Sequence, residues 1–174
     1  MGFWWCRIFG VCLALLPMLA MAQQCALEEV VAARFVDQGN GTVIDTLTGL
    51  QWQRCAQGQS FNHTTQQCDA LPGFYNWRGA LRQVVAVNTY QGFLQKYDWR
   101  LPNFKELATL VRRDCINPAV NTALFPGIIA RAYWTNSPAF HNGYIAYAID
   151  FDSGADMVQA RDEMLHIILV RNAY

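Results

Sequence analysis

The sequence predicts a single α+β domain with a mixed or antiparallel sheet, two helices and long loops. Short strand-like segments with glycine-rich turns open the chain, two segments with helical periodicity occupy its middle, and alternating apolar segments close it. The 174 residues suffice for one domain with its own core but not for two. Apolar residues make up 53% and charged residues 15%, which is a globular composition rather than a disordered one.

Residues 1–22 are typical of an export signal. Arg7 supplies the positive end, residues 8–19 are almost wholly apolar, and an A-x-A cleavage pattern follows at 20–22. The apolar run is short for a membrane span and Pro17 interrupts it, which favours cleavage over an uncleaved anchor. We expect residues 23–174 to form one exported domain without a transmembrane span, located in the periplasm, at the cell surface or outside the cell.

The charge balance argues against a nucleic-acid partner. The chain has thirteen basic and thirteen acidic residues. The signal segment contains one charged residue, Arg7, so twelve basic residues face thirteen acidic ones in the remainder, a net charge of −1. No basic surplus exists to attract nucleic acid or anionic lipid.

The cysteines predict two disulfides. Cys25, Cys55, Cys68 and Cys115 follow the signal segment, an even number in an exported chain. Four cysteines allow three pairings. The Cys55–Cys68 segment is short and lies between strand-like regions, so we favour this pair, which leaves Cys25 with Cys115. A zinc site is the competing interpretation, and the absence of a C-x-x-C pair and the scattered histidines disfavour it.

The N-terminal half predicts a helical turn at 27–33 and then a β-meander. Its strands are expected at 34–37, 42–45 and 50–54, separated by turns with residues that tolerate positive φ. Asp37, Asn40 and Asp45 also suggest a calcium loop, but the closing glutamate is missing and a tight turn is favoured.

Two helices are expected in the middle of the chain. Residues 56–73 predict a polar loop, after which Asn76 can cap a helix that extends to about residue 88. Its expected inner face is formed by Trp77, Leu81, Val84 and Val85. A second helix is expected from Asn103 to near Arg113, with an apolar stripe formed by Phe104, Leu107, Leu110 and Val111.

The start of the second helix carries the strongest local signal in the sequence. Pro102 keeps the residue before it extended, and Asn103 with Glu106 completes a capping box. Trp99 and Arg100 precede it directly. We expect Arg100 to be partly buried and paired with a carboxylate, either Glu106 or a nearby aspartate.

The C-terminal third predicts further strands. One is expected at 132–136 and another at 144–151, the latter with strict alternation of its two faces. A polar loop at 137–143 separates them, 157–159 is expected to extend, and 166–171 closes the sheet.

Two motifs carry a resemblance to a known family. The order D-x-G-N-G-T-V-x-D-x-x-T-G-L-x-W at 37–52 and the stretch D-W-R-L-P-N-F-K-E-L at 98–107 resemble the domain family named for the C-terminal domain of the Legionella collagen-like protein. That family is a bacterial domain of unknown function. More distantly, the R-L-P motif is similar to that of the sulfatase-modifying fold, a branch of the C-type-lectin-like architecture. The resemblance implies a single lectin-like domain whose first and last strands pair, and an adhesin-type role.

The sequence contains no enzymatic motif. It lacks G-x-S-x-G, a phosphate-cradling glycine loop and H-E-x-x-H, and no cysteine follows Cys115 to supply the redox chemistry of the sulfatase-modifying enzymes. We expect no enzyme, no metal and no cofactor. A glycoside hydrolase using Asp150 and Asp152 is the least favoured alternative.

The preferred hypothesis is an exported binding module that recognises a glycan or a cell-surface protein through its loops at 117–142 and 152–163. Candidate ligand-binding residues combine aromatic faces with amide and imidazole groups suited to a sugar ring: Tyr133, Trp134, Asn136, His141, Asn142 and Tyr144. A core role for Tyr133 and Trp134 is the competing interpretation. The alternative function is a structural component of a cell-envelope or pilus-like apparatus.

Overall fold

The computed structural model describes residues 23–25, 34–90, 92–139 and 143–174. The export signal, the helical turn at 27–33 and two candidate ligand residues, His141 and Asn142, lie outside the described residues. The described part contains two helices and several antiparallel sheets. The predicted α+β class is therefore confirmed.

The N-terminal meander forms as predicted. The first strands are β1 (Gln24–Cys25), β2 (Phe35–Asp37), β3 (Thr42–Asp45) and β4 (Leu50–Gln53). Gly41 and Gly49 take φ values of +87° and +67° in its turns. The buried Asp45 carboxylate accepts hydrogen bonds from Arg34 and Thr48 and from the Leu47 N–H. Because these donors surround it, Asp45 acts as a turn and ion-pair residue.

The segment at 56–73 is more ordered than the predicted polar loop. It contains a hairpin of β5 (Ser60–Asn62) and β6 (Gln67–Asp69). The side-chain oxygen of Asn62 accepts from the N–H groups of Thr64 and Thr65, which closes the hairpin turn. The sequence pattern missed this hairpin because its strands are three residues long and largely polar.

Helix α1 (Trp77–Tyr90) begins where predicted, and its inward face matches the prediction at Trp77 and Val84 only. Asn76 caps it by accepting from the Gly79 N–H. The residues that pack inward are Trp77, Ala80, Val84 and Val87. Leu81 and Val85 are 37% and 63% exposed, so their predicted inward position is wrong. The fully buried Ala80 brings the helix close to the core residues that it packs against, such as Trp99 and Trp134, and this rotates Leu81 and Val85 outward.

Helix α2 (Phe104–Ala108) has the predicted capping box but ends earlier than predicted. Asn103 accepts from the Glu106 N–H, and Glu106 accepts from the Asn103 N–H. Residues 109–111 then bond to carbonyls three residues back, and Val111 pairs with Val120. The helix stops because its last apolar residue is used in a bridge to another segment.

The C-terminal strands form a second sheet and complete the first. They are β7 (Cys115–Ile116), β8 (Ala132–Pro138), β9 (Ile145–Asp150), β10 (Ala155–Ala160) and β11 (Val170–Asn172). The sheet orders are β10-β9-β8 and β11-β4-β3-β2, and the short strands β1 and β7 pair with each other. The last strand therefore pairs with β4 rather than with the first strand. This corrects the expectation from the lectin-like resemblance, since β1 is held instead by β7.

The β8–β9–β10 sheet separates two hydrophobic cores. Because side chains alternate along a strand, Tyr133 and Ile149 enter the first core, whereas Trp134 and Ala148 enter the second. The first core also contains Trp52, Leu107 and Phe125, and the second contains Ala80, Trp99 and Leu101. Residues 167–170 alternate in the same way between the two cores.

Both predicted disulfides are confirmed. Cys55 is bonded to Cys68 and Cys25 to Cys115, with sequence separations of 13 and 90 residues. The first holds the β5–β6 hairpin to the end of β4, and the second fastens β1 to β7.

The predicted pairing of Arg100 is also confirmed. Its guanidinium donates to both carboxylate oxygens of Glu106, at 2.7 and 2.8 Å. Burial acts to raise the pKa of Glu106, but the hydrogen bonds from Arg100 and from the Asn103 N–H outweigh it and hold the pKa below its usual value.

We expect Arg100→Ala to lower the free energy of unfolding by about 1–2 kcal/mol at pH 7, because a bidentate pair is lost while Glu106 keeps its backbone donor. The Arg100 side chain is 36% exposed, which limits the cost. The folded-state pKa of Glu106 is depressed, so this stabilisation is lost as the pH falls below about 4. Urea melts of both proteins at pH 7 and pH 3 test this, and an equal difference at the two pH values would contradict it.

Candidate functional site

Two of the candidate ligand residues belong to the cores. Tyr133 and Trp134 are 0% exposed. The Tyr133 hydroxyl accepts from the Ile129 N–H, and burial raises the pKa of this side chain. The Trp134 indole donates to the Tyr75 carbonyl at 2.8 Å. Their assignment as a ligand platform is wrong, because both rings and both polar atoms are already used within the fold.

Asn136 and Tyr144 are exposed, and Tyr144 is 76% exposed. Neither lines a described cavity. The structure thus brings no set of the predicted ligand residues together in a cavity among the residues it describes.

A groove of about 430 Å³ lies in the N-terminal half of the domain. It runs between the C-terminal half of α1 and the β5–β6 hairpin, and the end of β4 borders it. Its lining residues are largely amide-bearing or aromatic: Asn40, Gln53, Gln57, Gln59, Gln83, Phe61, His63, Tyr90 and Phe93, with Cys55, Ser60, Ala86, Val87, Gly92 and Leu94. No aspartate, glutamate, lysine or arginine occurs among these described lining residues.

Three glutamine side chains form a directed hydrogen-bond relay in the groove. The Gln83 amino group donates to the Gln57 carbonyl oxygen at 3.3 Å, and the Gln57 amino group donates to Gln53 at 2.6 Å. Gln53 is 3% exposed, and its remaining amide group has no partner among the described residues. Because each amide fixes the next one, the relay presents an oriented hydrogen-bonding group to the groove.

Two aromatic rings line the same groove as the relay. Tyr90, at the end of α1, is 83% exposed, which leaves its ring faces available. Phe61 is fixed, since the Arg54 guanidinium lies 5.0 Å from its ring and a side chain at Gly41 would approach the ring to 3.0 Å. Phe61 therefore forms a rigid wall, whereas Tyr90 is an open surface for stacking.

The disulfide and the helix position the groove. The Cys55–Cys68 bond holds the hairpin wall, and the inward face of α1 fixes the opposite wall against the second core. A spread of glutamines over 53, 57 and 83 is a weak sequence signal, because the three residues meet only after α1 docks. Sequence analysis therefore missed this site and favoured the aromatic-rich strand at 132–136.

Fold and groove define a small, disulfide-bonded α+β domain with an uncharged, amide-lined groove. The model of the Lcl C-terminal domain family matches residues 41–171, and the chain belongs to this family. The family resemblance of the two sequence motifs is thereby confirmed. No match was found among curated proteins. None of the helices in the described ranges is long and apolar enough to cross a membrane.

Proposed function

We propose that the protein is an exported, non-enzymatic binding module of lectin-like type that recognises a neutral glycan in the amide groove. The observation that supports this most is a glutamine relay and an exposed tyrosine ring in the lining of one groove. Sugars present hydroxyls that donate and accept hydrogen bonds and an apolar ring face that stacks on aromatics, and the groove offers both complements.

The uncharged lining argues for a neutral rather than a sulfated or acidic glycan. A sulfate group would need a basic partner, and the described lining offers none. Two disulfides and the export signal predicted at residues 1–22 fit an oxidising, extracytoplasmic location.

Binding of neutral oligosaccharides, measured by titration calorimetry, is expected to weaken about five- to tenfold in Tyr90→Ala, because a stacking contact worth about 1–1.5 kcal/mol is lost. Gln83→Ala is expected to weaken binding less, since it frees only the outer end of the relay. The matched control is Tyr144→Ala, which removes an exposed tyrosine outside the groove and should leave affinity unchanged.

Salt provides a second discriminating measurement. Affinity for a neutral sugar is expected to change little between low and high ionic strength, because no exposed charge pair is screened. Preferential binding of sulfated glycans with a steep salt dependence would contradict the proposal, as would equal losses in Tyr90→Ala and Tyr144→Ala.

An assembly role is the second candidate, and one observation favours it. Leu81 and Val85 form an exposed apolar stripe on consecutive turns of α1. If the protein is a structural component of an envelope apparatus, Leu81→Gln with Val85→Gln should abolish co-purification with that apparatus. The same variant should leave the groove intact, so the two candidates are separable.

A glycoside hydrolase remains the least favoured candidate. Asp150 accepts from the Asp152 N–H and from the Ser153 hydroxyl, one bond at each carboxylate oxygen. This arrangement is that of a turn residue that closes the β9–β10 connection.

A further inference from the structure

A second cavity, which shares no lining residue with the amide groove, lies beside His166. It has a volume of about 320 Å³ and is bordered by the start of β8, the β9–β10 hairpin and residues 164–166. Met157 and Met164 line it together with His166. The sequence has five methionines, and these two are the ones within the described part of the chain. Both thioethers therefore border the same space as a buried imidazole.

The imidazole of His166 presents an unused nitrogen. The residue is 1% exposed, and its Nδ1 lies 2.9 Å from the Gly73 carbonyl oxygen. Because a carbonyl only accepts, Nδ1 carries the proton and Nε2 presents its lone pair. Nε2 is buried and has no hydrogen-bond partner within the described ranges. A backbone carbonyl that fixes the ring in this way is the usual support of a metal-binding histidine.

We propose that Met157, Met164 and His166 form a binding site for copper(I). Thioether sulfur is a soft ligand that selects copper(I), and neutral imidazole nitrogen is a good copper ligand.

The wall of the cavity disfavours hard metal ions. Among the residues that the structure describes, no group of three or more His, Cys, Asp or Glu side chains is placed to hold a metal. Calcium and magnesium need such oxygen ligands, and zinc prefers nitrogen, thiolate or carboxylate ligands. The proposed site instead offers two thioethers and one imidazole, a set in which soft sulfur ligands predominate.

An aromatic ring and a flexible thioether side chain border the cavity beside His166. The Phe74 ring lies 4.3 Å from the imidazole, centroid to centroid, and covers it from solvent. Met164 is 53% exposed, and its flexible side chain can turn its sulfur toward Nε2. The described wall carries one basic side chain, Arg131, whose charge acts on the imidazole, and two acidic ones, Asp150 and Asp152.

Silver(I) is the appropriate probe, because it resembles copper(I) in its ligand preference and needs no reductant that would threaten the disulfides. One equivalent of silver nitrate, added to oxidised protein carrying ¹³C-methyl methionine and ¹⁵N-histidine, should shift the methyl signals of Met157 and Met164 and the Nε2 signal of His166 together. All three shifts should saturate at a ratio of one to one.

Two variants make the test specific. Met164→Leu changes a half-exposed position and should weaken silver binding at least about tenfold, as loss of even a supporting group does in metal sites. His63→Gln removes an exposed histidine elsewhere and should leave binding unchanged. A titration in which Nε2 of His166 does not move overturns the proposal, and so does a folded Met164→Leu that binds as tightly as the unaltered protein. Because the two cavities are separate, either result leaves the proposal of glycan binding in the amide groove unaffected.

Discussion

Replacement of Cys25 and Cys115 by serine is expected to lower the free energy of unfolding by about 4.5 kcal/mol. The bond joins residues separated by 90 positions, so its loss releases a large loop in the unfolded chain. A domain of this size is stabilised by only about 5–15 kcal/mol, so the variant is expected to be marginally stable. Urea unfolding under non-reducing conditions measures the change.

The second disulfide supplies a matched control. Cys55 and Cys68 are separated by 13 positions, and their replacement by serine is expected to cost about 3 kcal/mol. The order of the two losses is the informative result, because it follows from loop length alone. A larger loss in the Cys55/Cys68 variant would show that local packing of the hairpin, rather than chain entropy, dominates.

Trp134→Ala is expected to cost about 4 kcal/mol. The ring is fully buried in the second core, and its indole N–H donates to the Tyr75 carbonyl, so the substitution leaves a cavity and removes one of two hydrogen bonds to that carbonyl, which keeps the bond from the Leu165 N–H. Asn136→Ala, on the same strand and exposed, is expected to change stability by less than about 0.5 kcal/mol. Thermal and urea melts of the two variants measure the difference.

The same pair of variants distinguishes a core residue from a ligand platform. If Trp134 were a recognition residue, Trp134→Ala would reduce glycan binding while leaving stability nearly unchanged. A small loss of stability with a large loss of binding would therefore return Trp134 to the ligand site. We expect Trp134→Ala to lose much stability, as a core residue does.

Local features of the fold were predictable because their causes are local. The meander turns, the Asn103–Glu106 capping box and the Arg100 partner all depend on residues within a few positions of one another. The Cys55–Cys68 pair was likewise indicated by the short segment between two strand-like regions. In each case the two partners lie within one short segment of the sequence.

Features that depend on distant contacts were not predictable. The inward face of α1 is set by how closely Ala80 approaches its support, and the end of α2 is set by the bridge from Val111 to Val120. Hydrophobic spacing within one helix contains neither contact. The predicted end of α2 and the predicted inward positions of Leu81 and Val85 failed for this reason.

The candidate site was missed for a related reason. Aromatic residues on an alternating strand signal burial as readily as recognition, and Tyr133 and Trp134 proved to be buried. The groove is formed instead by β4, the β5–β6 hairpin and α1. A single glutamine in any of these elements gives no signal of a site. Only the tertiary arrangement aligns Gln53, Gln57 and Gln83 into one relay.

The alternation of residues 167–170 between the two cores also governs when the chain can fold. Ile167 and Leu169 complete one core, and Ile168 and Val170 complete the other. A growing polypeptide therefore cannot seal either interior until residues 167–170 have been synthesised. Until that point both interiors stay open to solvent, so the apolar side chains of the earlier strands remain exposed during synthesis.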